Sequence, residues 1–164
     1  MLRFCLYVST CRLARGSAME EVYHLVAGAR ASNRRLSVSG TLIFSGTYFA
    51  QYLEGPEENL SLLFQRICRD PRHGQIRVLL DSRRERREFP RRSLQFSGPS
   101  MFVDRHIGQF FDEDLQGQQR KLAVGQLLQM MRGTTQAIAD GRRLPPRSNC
   151  SGSEVDQFLL ESPA

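Results

Sequence analysis

Residues 37–55 read SVSGTLIFSGTYFAQYLEG, and their pattern decides the fold. Val38, Leu42, Ile43 and Phe44 form one short apolar run, and Tyr48, Phe49, Tyr52 and Leu53 form a second, rich in aromatics. The break between them, Ser45-Gly46-Thr47, carries a glycine, so the two runs read as a β-hairpin. Gln51 stands inside the second run. An amide buried without a partner costs about 1–3 kcal/mol. Gln51 therefore either faces outward on a half-exposed strand or faces inward toward partners from elsewhere in the chain. The hairpin by itself leaves both open.

On the N-terminal side, Leu2–Ser9 alternates as a strand, with Phe4 and Leu6 on one face and Cys5, Tyr7 and Ser9 on the other. On packing grounds Tyr7 is a core tyrosine. Ser17-Ala18-Met19-Glu20 has the form of a capping box. Met19, Val22, Tyr23, Val26 and Ala29 then recur at helical spacing, which predicts a helix from about Ala18 to about Ala31. Ser32-Asn33-Arg34-Arg35 ends it, with Asn33 as a loop residue or C-cap.

On the C-terminal side, Glu54-Gly55-Pro56 turns into a second helix, about Glu57 to Arg69, with Leu60, Leu63, Phe64 and Ile67 as its apolar stripe. Asp70–Gly74 is a turn, Ile76–Leu80 a fourth strand and Ser93–Phe96 a fifth. The order βαββαβ(β) predicts an α+β, ferredoxin-like mixed sheet with two helices on one face. Phe102, Val103, Ile107, Phe110 and Phe111 suggest a partly buried connection. Leu122, Val124, Leu127, Leu128, Met130 and Met131 mark a further helix, about Leu115 to Ala139. The pro-rich stretch 142–148 reads as a linker, and Val155, Phe158, Leu159 and Leu160 as one short helical turn. The expected organisation is a domain over 1–96, a helical extension over 97–140 serving as output or oligomer surface, and a flexible tail over 141–164.

No run of about 18 apolar residues is present, so no membrane helix is expected. The apolar run in Met1–Thr10 is too short for a signal peptide, and the expected compartment is the cytoplasm. Cys5, Cys11, Cys68 and Cys150 lack metal-ligand spacing, which argues against zinc and against a disulfide framework. The net charge of +6 is carried almost wholly by arginine, but only residues 83–92 cluster it. Two glutamates interrupt that cluster, so it reads as a solvated loop or strand edge rather than a grip on nucleic acid.

Several pieces now stand in one order: Leu6-Tyr7-Val8-Ser9, Ser32-Asn33, Ser39-Gly40-Thr41-Leu42, Gly46–Gly55, Leu63-Phe64-Gln65-Arg66-Ile67 and Asp70-Pro71-Arg72-His73. Together they resemble the BLUF family of blue-light sensors, which bind flavin non-covalently. The resemblance covers about residues 1–96. It implies FAD, or FMN, clamped between the two helices over one face of the sheet. It also implies that Tyr7 and Gln51 are a photoactive hydrogen-bond pair, Tyr7 supplying an electron and a proton, and that Asn33 fixes the edge of the ring. Arg66, Asp70, Arg72 and His73 match positions near the ring or its ribityl chain.

The chain departs from that pattern at Arg92-Ser93-Leu94, where the family often has Trp-Ser-Met, and at Ala29, where serine is common. These departures bear on output and lifetime more than on flavin binding. The resemblance implies a non-enzymatic receptor signalling to a partner protein, with a homo-oligomer expected. The competing reading is a light-insensitive interaction or nucleic-acid-binding module of the same fold. A flavin redox enzyme ranks last, since there is no nicotinamide-binding glycine motif.

Overall fold

The computed structural model describes residues 1–14, 16–90 and 93–139, with the backbone alone for 135–139. The expected linker, short helical turn and tail beyond residue 140, together with Arg91 and Arg92, lie outside the described residues. The elements run β1 Leu2–Cys11, α1 Ala18–Arg35, β2 Ser39–Phe44, β3 Tyr48–Gly55, α2 Glu57–Cys68, β4 His73–Arg84 and β5 Gln95–Ser97. They continue with α3 Met101–Gly108, a single 3-10 turn Gln109–Phe111 and α4 Gly117–Ala139.

The five strands form one mixed sheet in the order β4-β1-β3-β2-β5. β4, β1, β3 and β2 pair antiparallel, and β5 runs parallel to β2. This is the ferredoxin-like plan, with β3 in the middle. The hairpin closes as read, β2 pairing with β3 from Ser39↔Glu54 to Phe44↔Phe49. At Gly40 the strands come so close that a Cβ would lie 1.9 Å from the Tyr52 carbonyl oxygen, which excludes every other residue there.

Strand alternation sorts the core into two faces. On one, Leu42, Phe44, Phe49 and Leu94 pack under Val22 and Val26 of α1, while Cys5, Tyr7 and Leu53 pack under Leu60 and Leu63 of α2. On the other, Leu6, Val8, Ile43, Ala50 and Tyr52 meet Val103 and Ile107 of α3 and Val124, Leu127 and Met131 of α4. Each such side chain, fully buried, contributes about 1.5–3 kcal/mol. The extension therefore covers the sheet face that the two N-terminal helices leave open.

Several local expectations need correction. α1 runs to Arg35, about one turn past Ala31, so Asn33 is a helical residue of the last turn and is buried. The capping box does not form. Ser17 has a near-helical backbone (φ −108°, ψ −5°), and its hydroxyl donates to the Glu21 carboxylate instead of capping. Tyr23 and Leu122 are exposed, and the buried stripe of α4 runs through Ala123, Val124, Leu127 and Met131. The segment after β5 is helical rather than a plain connection. β4 extends past the expected Leu80 through Arg83 and Arg84, so the arginine cluster begins as a strand edge, one of its two expected readings. As an edge strand it needs only half its side chains buried, so charge does not end it.

Candidate functional site

A cleft of about 250 Å³ opens between α1 and α2 over the middle of the sheet. α1 contributes Leu25, Gly28, Ala29, Ser32 and Asn33, which recur at i, i+3 and i+4 and so share one stripe of the helix. Leu63, Arg66 and Ile67 of α2 form the opposite wall. Gln51 enters from β3, and Asp70, Arg72 and His73 come from the turn into β4. Gly28 and Ala29 keep the α1 wall shallow.

Tyr7 lies directly opposite Gln51 in the β1–β3 register, and both side chains point to the helix face. The Tyr7 hydroxyl donates to Gln51 Oε1. Tyr7 is fully buried, with the ring of Phe64 edge-on at 5.5 Å and that of His73 at 6.2 Å. Burial pushes its phenol pKa well above the usual value, so the hydroxyl stays protonated and available as a donor. An irregularity in the β1–β4 pairing, where Leu6 faces Leu80 but Tyr7 faces Val78, falls at this residue. Gln51, buried at 6% exposure, is thus the inward-facing amide of the two readings, and its partner comes from β1. With Oε1 engaged by Tyr7, the amide NH2 is the group Gln51 offers to the cleft.

Asn33 reaches from the last turn of α1 to the run-in of β5, where Nδ2 donates to the Ser93 carbonyl at 2.9 Å. Beside it Arg30 Nε donates to the Leu94 carbonyl at 3.0 Å. Asp70 and Arg72 pair within their turn, Arg72 Nη2 lying 2.5 Å from Asp70 Oδ2. Hydrogen bonding to Arg72 holds the Asp70 carboxyl below its ordinary range. The His73 ring lies 4.8 Å from that of Phe49, and its Nδ1 is 2.8 Å from Ser9 Oγ. Burial pushes the imidazole down to about 4, leaving it neutral near pH 7.

Of the seven residues singled out by the sequence, six line the cleft and the seventh, Tyr7, is hydrogen-bonded to one of them. Leu25, Gly28, Ser32, Arg30 and Ser9 are not among the candidate site residues read from the sequence, although Ser32 and Ser9 belong to the quoted motif pieces. The helical stripe could have found the first three, but the Arg30 and Ser9 contacts depend on tertiary approach. The donor set suits a planar heteroaromatic ligand with alternating donors and acceptors. Apolar walls from Leu25, Ala29, Leu63 and Ile67 flank two amides, Gln51 and Asn33, that carry donors as well as acceptors. The volume, near the low end of small-molecule sites (roughly 300–1,000 Å³), fits a ring system slotted between helices with any tail at the mouth. A flavin fits these residues.

The family model described as BLUF, sensors of blue-light using FAD, matches residues 2–95. The chain is 35% identical over 77 residues to the blue light- and temperature-regulated antirepressor BluF of Escherichia coli (strain K12), covering 47% of this chain and 19% of that protein. It is also 35% identical over 78 residues to the photoactivated adenylate cyclase subunit alpha of Euglena gracilis, covering 48% of this chain and 8% of that one. The chain thus spans a minor part of the length of these curated relatives. Among solved structures, the dark state of BlrB, a BLUF protein, superposes with a TM-score of 0.62 at 25% identity, covering 85% of this chain and 96% of that one.

Proposed function

The chain belongs to the BLUF family, sensors of blue light using FAD, and from that premise we propose that Tyr7 and Gln51 are its photoactive pair and that the cleft between α1 and α2 is its flavin site. The observation that carries this reading is the Tyr7–Gln51 hydrogen bond at the wall of a cleft whose other polar groups include Asn33. A bound flavin supplies the blue-light absorption and the redox chemistry of the excited ring. Tyr7 holds a proton on a buried hydroxyl and directs it at Gln51 Oε1. Gln51 is the switchable element, because rotation or tautomerisation of its amide reverses what it presents to Tyr7 and to the cleft. Asn33 orients the ring edge while bracing the approach to β5 through Ser93.

FAD is the proposed cofactor, with FMN as its competitor; both carry phosphate, for which Arg66 at the cleft provides positive charge. We read residues 1–96 as the sensor, 97–140 as the output and oligomer surface, and 141–164 as a flexible tail. Met101, Phe102 and Leu122 are exposed on that extension and suit contact with a partner protein or a second copy. The activity controlled by light is then the partner's rather than the chain's own, and the working compartment is the cytoplasm.

The absorption spectrum of purified protein, taken before and after blue illumination, tests the reading. Oxidised flavin whose visible band shifts slightly to the red and returns in darkness is the expected result. Colourless protein that takes up no added flavin, or flavin with no such shift, overturns it. Denaturing the protein and weighing the released flavin decides between FAD and FMN.

A further inference from the structure

Gln51 and Glu54 are three residues apart on β3 and emerge on opposite faces of the sheet, with about 10 Å of strand between them. Glu54 is fully buried on the α3–α4 side. Its carboxylate accepts from the backbone N–H of Glu88 on Oε2 and of Phe89 on Oε1, both at 2.7 Å, and from Ser39 Oγ at 3.2 Å. Arg87 closes the arrangement, donating to Ser39 Oγ at 2.7 Å, to the Glu54 carbonyl at 2.9 Å and to the Ser37 carbonyl at 2.6 Å. The connection between β4 and β5 is thereby fastened to β3, a strand with which neither β4 nor β5 pairs.

Glu88 continues the chain of contacts. Its side chain takes Arg84 of β4 at 2.5 Å and Arg132 of α4 at 2.6 Å. Among the described residues, Arg132–Glu88 is the ion pair that joins α4 to the rest of the protein. Phe89, buried beside it, meets the Tyr52 ring edge-on at 5.0 Å. A carboxylate holding two peptide N–H groups is sensitive to sub-ångström displacement, because a buried acceptor pulled from its donors has no water to replace them. Leu94 offers no comparable polar route: its side chain is apolar and packs in the core under α1, and its backbone carbonyl accepts from Arg30.

We infer that Glu54 is a positioning residue for output, coupling β3 to α4 through the peptide groups of Glu88 and Phe89 and the Glu88–Arg132 ion pair. This rests on the photoreceptor reading, which supplies the displacement at Gln51.

The test compares backbone hydrogen exchange of residues 117–134 in dark and lit states of the full chain loaded with FAD, in wild type and in Glu54→Gln, Glu88→Gln and Arg132→Gln. The red shift is recorded on each sample. All variants should keep the shift, while the light-minus-dark exchange difference in α4 falls by roughly threefold or more. Should Glu54→Gln fail to fold, the Glu88 and Arg132 variants decide, since they leave the buried carboxylate in place. A merely structural role would raise exchange equally in both states and leave the difference intact. An undiminished difference in Glu88→Gln and Arg132→Gln overturns the inference, as does a wild type that shifts normally without any α4 response. A wild type with no red shift overturns the photoreceptor reading itself, and the relay with it.

Discussion

Tyr7 and Gln51 face each other across β1 and β3, and the tyrosine hydroxyl is the donor in the bond between them. Among the described residues neither side chain hydrogen-bonds to any further side chain, so each fixes the other's orientation. Tyr7→Phe should keep flavin bound and abolish the red shift, because the core packing of the ring survives while its donor is lost. Gln51→Ala should do the same through loss of the switchable amide. A normal shift in both variants, measured by difference spectroscopy, would refute the assigned roles.

Asn33 serves the cleft and the sheet at once. Asn33→Ala removes a buried hydrogen bond and leaves the Ser93 carbonyl without its donor, a loss of about 1–3 kcal/mol in stability. If the same amide also orients the flavin, affinity should fall by roughly 5- to 150-fold for an equal loss of binding energy. Chemical denaturation of the flavin-free protein and titration with FAD measure the two effects separately. Asn33→Ala that binds FAD with wild-type affinity would remove Asn33 from the site.

His73 predicts an acid limit. Its folded pKa of about 4 lies below the ordinary value of 6.5, the cause being burial. The unfolded chain therefore binds a proton first as pH falls. Stability from this residue is complete above pH 6.5 and is lost progressively down to about pH 4, by roughly 3 kcal/mol. Denaturation midpoints between pH 7.5 and 4.5 should show this slope, and His73→Phe should flatten it. An unchanged slope in that variant would place the acid sensitivity elsewhere.

The arginine-rich stretch should not bind nucleic acid tightly. Arg83 pairs with Glu57, Arg84 with Glu88, and Arg87 is committed to Ser39, Ser37 and Glu54. Six or more phosphate contacts would weaken binding by about 10³ or more between 50 and 200 mM salt. A fluorescence titration with duplex and single-stranded oligonucleotides should find no complex with such a slope. A tight complex lost on replacing these arginines would restore the interaction-module reading.

The sheet was legible because period-2 alternation and the Ser45-Gly46-Thr47 break are local signals. The two faces of β1 followed from the alternation directly. Asn33 reads as a loop residue or C-cap because Ser and Asn have weak helix propensity. What extends α1 through it is tertiary, the pull of the Ser93 carbonyl 60 residues away. Tyr23 had the spacing of a core residue, yet it is exposed and rests edge-on against Phe96. Gln51 was undecidable within the hairpin, since its partner lies 44 residues earlier on β1. The Glu54 contacts left no signature at all, because backbone donors from residues 88 and 89 have no sequence identity to read.

The strand order β4-β1-β3-β2-β5 also governs the order of assembly. β1 is made first, yet its two neighbours, β3 and β4, lie some 40 to 80 residues downstream. Long-range pairing of this kind slows folding, and an apolar β1 waits unpaired while the rest of the domain is synthesised. The walls of the cleft meet only after α2 has been made, and its turn residues settle only when β4 has closed on β1. Flavin thus acts on the finished product. Added FAD should slow unfolding in a denaturant jump and leave the refolding rate nearly unchanged; faster refolding with FAD would mean that the cleft forms early.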